Sequence, residues 1–223
     1  MELMEPEIAA FEPIPYRIRI GVTGHRRLKN PVALRTLVRI AIDAEVESLF
    51  SEAVRGKANG PCQAGALPIL FSVLSPLAEG SDRVVARAIL DYPEARLDAI
   101  LPLVVEDYLE DFATEESREE FHDLLNQSGK TVILRTRPIR DECSDPAGQA
   151  ELRLDAYEQV GRYVVDHSDV LIAVWDGRPS CNRGGTAEIV RYALSKNRPI
   201  LRLWEDSITV LNRINGQVLF VES

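Results

Sequence analysis

Val170-Leu171-Ile172-Ala173-Val174-Trp175, followed at once by Asp176-Gly177, is the stretch that decides the fold. Six apolar residues in a row, bounded by turn formers, are what a strand covered on both faces looks like. A strand of that kind belongs to a parallel sheet with helices on both sides. Working outward, the rest of the chain keeps the same alternation. Arg17 to Val22, Pro68 to Leu74, Leu97 to Val104, Thr131 to Leu134 and Pro199 to Leu203 read as further strands. Between them lie helical patterns. Asn30-Pro31 is a start signal, followed by Leu34, Leu37, Val38, Ala41, Ile42, Val46 and Leu49 on one face. Ser81 or Asp82 is expected to cap a second helix that Tyr92-Pro93 stops. Glu151 to His167 and Gly185 to Ser195 carry two more. One or two short helices are expected in the acidic segment after Val104, and Arg135 to Gly148 reads as a long loop. The predicted class is α/β, a Rossmann-like doubly wound, mostly parallel sheet with helices on both faces. The expected organisation is an acidic leader over 1–15, the sheet domain over 16–206, and a tail or hairpin over 207–223.

Composition limits the function. The 223 residues are 45% hydrophobic and 27% charged, enough to bury a real core. No apolar run reaches the roughly 18 residues of a membrane span, so no membrane partner is expected. Met1 to Pro15 has no basic region before an apolar stretch and lacks the form of a secretory signal. Cys62, Cys143 and Cys181 are odd in number and far apart, which points to a reducing, cytoplasmic setting without a disulfide framework. His122 and His167 stand alone, and no metal site or cofactor is expected. The net charge is −9, and the stretch from Val105 to Glu120 alone carries −7 of it. Such a balance argues against polymeric nucleic acid as a partner. It leaves room for a small phosphorylated ligand at a locally basic site.

In an open parallel sheet that site lies beyond the carboxyl ends of the strands. Three exits carry suitable residues. The first is Gly21-Val22-Thr23-Gly24-His25-Arg26, where glycines allow close approach and Arg26 can fork onto a phosphate. The second is Glu79-Gly80-Ser81-Asp82 at a helix start, with free amides for an anion and carboxylates for sugar hydroxyls. The third is Asp176-Gly177, then Arg183-Gly184-Gly185-Thr186-Ala187-Glu188. Each one alone also reads as an ordinary turn or helix cap.

Together these blocks resemble the SLOG superfamily, the Rossmann-like group that includes the Smf/DprA and LOG proteins. Ile20 to Arg26, Ser75-Pro76-Leu77-Ala78-Glu79-Gly80-Ser81-Asp82-Arg83-Val84-Val85-Ala86, and Asp169 to Trp175 with Gly184 to Ile189 carry the likeness, over roughly Arg17 to Trp204. The resemblance implies a pocket for a nucleotide or nucleotide-derived sugar phosphate. Superfamily members include ligand sensors of bacterial defence, phosphoribohydrolases and DNA-processing proteins. The hydrolase pattern PGGxGTxxE is met only in part: Cys181-Asn182-Arg183 precede the Gly184-Gly185-Thr186 run, and Glu188 follows the threonine by two. The same block is similar to nucleoside deoxyribosyltransferases through Asp176-Gly177, Gly185-Thr186-Ala187-Glu188 and Tyr192-Ala193.

The leading expectation is a sensor domain for an ADP-ribose-like, NAD-derived or cyclic nucleotide. Thr23, Gly24 and Arg26 would hold one phosphate, with His25 in the same turn. Glu79 and Asp82 would face ribose, Gly184 to Thr186 would hold a second phosphate, and Tyr108 or Phe112 would stack the base. A homodimer or an effector partner would carry the signal. The alternative is an N-glycosidic hydrolase or transferase with Glu188 and Arg183 as the catalytic pair. A DprA-like DNA-handling role ranks third.

Overall fold

The structure, a computed structural model, describes residues 15–46, 69–179, 183–205, 207–214 and 217–219. The leader over 1–15, apart from Pro15, together with Gly56 to Gly65, Cys62 and Cys181, lies outside the described residues.

Among the described residues eight strands form one sheet: β1 Tyr16–Gly24, β2 Ile69–Ser75, β3 Arg96–Leu101, β4 Lys130–Ile133, β5 Val170–Val174, β6 Ile200–Trp204, β7 Ser207–Ile214 and β8 Gln217–Leu219. Their order is β4-β3-β2-β1-β5-β6-β7-β8. The pairs from β4 through to β6 are all parallel. β6–β7 and β7–β8 are antiparallel, so the predicted tail hairpin continues the sheet. The chain runs outward from β1 to β4 and then returns to β5 on the other side of β1. That reversal makes the β1/β5 boundary the switch point of a doubly wound fold, where a crevice opens beyond the strand ends.

The helices among the described residues are α1 Pro31–Ala41, α2 Ser81–Leu90, α3 Val105–Leu109, α4 Glu115–Gln127, α5 Ile139–Glu142, α6 Pro146–His167 and α7 Thr186–Ser195. None is long and apolar enough to cross a membrane. Asn30 caps α1 by accepting from the Ala33 amide at 3.0 Å, as its side chain and Pro31 suggest. α1 gives way to a π-turn over Ile42–Val46.

β5 shows why the layers form. Val170, Ile172 and Val174 join the core that includes Leu37, Val38, Val85 and Ile89 of α1 and α2. Leu171 and Ala173 join a second core with Val160 and Val164 of α6 and Val190 of α7. Side chains two apart along a strand point to one face, so a fully apolar strand feeds both layers. Gly21 lets α6 lie close on β1: a Cβ there would sit 2.8 Å from Val164 Cγ1.

Three sequence expectations are corrected. Neither Ser81 nor Asp82 caps α2; Gly80 holds the capping position at φ +82° and ψ −117°. The Ser81 hydroxyl instead donates to the His25 carbonyl at 2.7 Å. The loop from Arg135 to Gly148 is interrupted by α5, and α6 begins at Pro146 rather than Glu151. Asp145 caps that helix through the Gly148 amide at 2.9 Å, the same Asx-Pro signal that opens α1.

Candidate functional site

The exits of β1 and β2 are fastened to each other before they meet any ligand. The Ser81 amide and hydroxyl both donate to the His25 carbonyl, at 3.1 and 2.7 Å. Gly80 can pass beneath this turn only without a side chain, since a Cβ would lie 2.1 Å from the Arg26 carbonyl oxygen. Gly24 is constrained likewise, with a would-be Cβ 2.6 Å from Ser81 and 2.8 Å from Val174. Close packing of two turns therefore accounts for these residues in full.

Beyond this junction lies a cavity of about 370 Å³ at the switch point. Thr23, Gly24, His25 and Arg26 line it from the β1 exit, and Asp82 from the first turn of α2. Asp176 reaches it from the β5 exit, and Gly184, Gly185 and Thr186 from the start of α7. The structure thus brings all three predicted strand exits to one cavity.

Six predicted residues lie elsewhere, and each has another role. Glu79 accepts a hydrogen bond from the Ser117 hydroxyl of α4. Gly80 and Ser81 form the junction just described. Gly177, at φ +82°, makes way for the Arg202 guanidinium, which would stand 2.8 Å from a Cβ there. Arg183 is drawn onto α6, pairing with Glu158 at 2.6 Å, Asp155 at 2.8 Å and Glu151. The Glu188 carboxylate accepts from the Gly184 amide at 2.8 Å and lies 3.7 Å from Arg162. It holds Gly184 in its left-handed conformation at φ +70°.

Sequence reading missed other residues of the wall. Helical periodicity places Tyr157 on the apolar face of α6, yet it lines the cavity beside Gly161, Trp175 and Arg178. Its hydroxyl donates to Asp111, which Arg153 braces at 3.1 Å. Tyr108 also lines the cavity, although it is only 1% exposed. Phe112 does not; it packs in the core under the Arg83 guanidinium, 4.5 Å from its ring centroid. Arg83 itself is buried, and bonds the Leu77 and Ser117 carbonyls and Glu120. A phenol on an otherwise apolar helix face was the available signal for Tyr157, because a buried hydroxyl needs a partner.

The charges divide clearly. Arg26 lies over the Tyr157 ring at 5.5 Å and has no ion pair with a carboxylate among the described residues. Partial desolvation alone would lower its pKa, but Tyr108, Tyr157 and Asp111 raise it above the ordinary value, so it stays cationic. Asp176 is held below its usual range, first by the Arg178 amide at 3.0 Å and then by His25 and Arg178. The His25 ring accepts from the Asp176 amide at 3.4 Å.

Asp82 is the opposite case. It is 6% exposed, and among the described residues its carboxyl group has one hydrogen bond, from the Ala78 amide at 3.3 Å. Burial pushes its pKa up to about 7, against the pull of that amide and of Arg26 and Arg83. Since the folded chain holds this proton more tightly than the unfolded chain, the group's full contribution to stability is present below about pH 4. It is lost as pH rises through about 7. Asp82→Asn is therefore expected to gain roughly 2–3 kcal/mol on wild type between pH 5 and pH 8 in paired denaturant titrations. An unchanged difference would contradict the assignment.

Among the described residues no group of three or more His, Cys, Asp or Glu side chains is placed to hold a metal. No model of a known protein family matches the chain, and no curated protein matches it.

Proposed function

We propose that the switch-point cavity binds a nucleotide-derived ligand of ADP-ribose-like, NAD-derived or cyclic-nucleotide type, and that the chain acts as a sensor domain. The observation that carries this reading is Arg26, a cation without an ion-pair partner among the described residues, set over the Tyr157 ring in the cavity that Tyr108 and the first turn of α7 also line. A guanidinium and the free amides of a helix start bind phosphate oxygens. Aromatic walls offer faces for a base. The SLOG-like sequence blocks support the same ligand class. Signalling would pass to an effector or to a second copy of the chain.

The glycosidic alternative rested on Glu188 and Arg183. Both side chains are committed to other partners and neither lines the cavity, which favours binding over turnover by that pair.

Thermal-shift measurements with ADP-ribose, NAD and a 3′,5′-cyclic nucleotide, with chromatography of each mixture, test the reading. A rise in Tm with at least one of them and an unchanged ligand is expected. No shift with any of the three would overturn it. Release of free base that disappears in Glu188→Ala would replace the sensor with the glycosidic enzyme.

A further inference from the structure

Asp82 and Tyr108 are the two polar side chains that line the cavity while more than nine-tenths buried. The Tyr108 hydroxyl has no hydrogen-bond partner among the described residues. Its ring packs edge-on against Phe112 and Phe121, while the residue lines the same cavity as Arg26 and Asp82, whose charges act on the hydroxyl together with Tyr157 and Asp111. Asp82 uses one carboxylate oxygen on the Ala78 amide and has no second bond among the described residues. It also lies in the first turn of α2, a ten-residue helix. A guanidinium, a phenol and a carboxyl group thus converge with donor capacity unspent.

We infer that Arg26, Asp82 and Tyr108 form one subsite for a tetrahedral oxyanion, and that Asp82 joins it as the neutral acid, so that binding draws one proton from solvent. This rests on the reading of the cavity as a phosphate-ligand site and names how that phosphate is held. Two negative groups cannot share a single guanidinium in a partly desolvated site unless a proton lies between them. A carboxyl already close to neutrality takes that proton readily. The other groups around Asp82 do not relieve the repulsion. Arg83 is turned toward Ser117 and Glu120. Tyr157 and Asp111 add negative or neutral character behind Arg26. Asp176 is held at the β5 exit by the Arg178 amide and guanidinium, and the His25 ring accepts from the Asp176 amide. As an acid, Asp82 becomes a third donor beside Arg26 and Tyr108.

Calorimetry tests this with ADP-ribose and with sulfate, two probes whose oxyanions do not titrate between about pH 6 and 9. ADP-ribose reports a nucleotide-borne phosphate, and sulfate a free oxyanion. Wild-type affinity is expected to fall at least about tenfold from pH 6.5 to 8.5, with close to one proton taken up per ligand at the upper end. Asp82→Asn, a neutral donor of the same shape, should hold its affinity level across that range and take up no proton. Tyr108→Phe should weaken binding while keeping the wild-type slope. Binding of either probe with a level pH profile, or the same slope in Asp82→Asn, overturns the inference and leaves the nucleotide reading standing. Absence of binding by both probes and by the other nucleotides overturns both.

Discussion

Gly80→Ala is expected to destabilise the protein by at least about 3 kcal/mol. Two costs combine. Gly80 sits at φ +82° and ψ −117°, a conformation that L residues resist at on the order of 1–3 kcal/mol. The added Cβ would also stand 2.1 Å from the Arg26 carbonyl oxygen and 2.7 Å from that of His25. Those atoms are backbone and cannot swing aside like the end of a long side chain. The β1 exit must therefore shift, and Ser81 must release the His25 carbonyl it now bonds twice. Urea titration is the measurement, with a lowered midpoint at constant slope as the expected form. An alanine variant within about 0.5 kcal/mol of wild type would mean that the two turns are not fastened as described.

Arg26→Ala is expected to weaken a phosphate-bearing ligand at least about a hundredfold while leaving stability nearly unchanged. Charge-assisted hydrogen bonds contribute roughly 1.5–3 kcal/mol each, and a forked guanidinium supplies two. Stability should hold because Arg26 pairs with no carboxylate among the described residues and is itself exposed. Lys29→Ala removes the same charge three residues away, from an exposed pair with Glu205 at 3.4 Å. Its effect should stay within about twofold, since exposed charges at that range are screened. Calorimetry of both variants with the same nucleotide separates a direct contact from a general field.

The sequence showed the sheet plainly because each central strand is apolar enough to feed two layers, as β5 does. It showed the start of α1 by its capping chemistry, Asn30 followed by Pro31. The Asp145-Pro146 start carried the same chemistry and was absorbed into a loop reading of Arg135 to Gly148. The site was legible as a set of strand exits but not residue by residue. Glycine-rich turns suit phosphates, yet Gly24 and Gly80 are equally required where two turns cross at van der Waals contact. A charged residue near such a turn suggests chemistry, yet Arg183 and Glu188 are claimed by α6 and by the Gly184 amide. Sequence spacing places a residue near a cavity and does not say which neighbour its side chain will reach first. Tyr157 was hidden for the converse reason, being apolar by periodicity and polar only at its tip.

The acidic segment also changes meaning. Asp107 accepts from the Ile139 amide at 2.7 Å, Asp111 ties α3 to α6, and Glu120 fastens α4 to α2 through Arg83 and Arg87. Much of that charge is spent inside the fold, which is why an acidic protein can keep a cationic cavity.

A crystal structure grown with whichever of the tested nucleotides gives the largest thermal shift is the most direct test of the central claim. The account predicts a phosphate group with oxygens within about 3.5 Å of the Arg26 guanidinium, beside Asp82 and Tyr108, and the base against the aromatic wall. A nucleotide seated elsewhere, with this cavity empty, would contradict it.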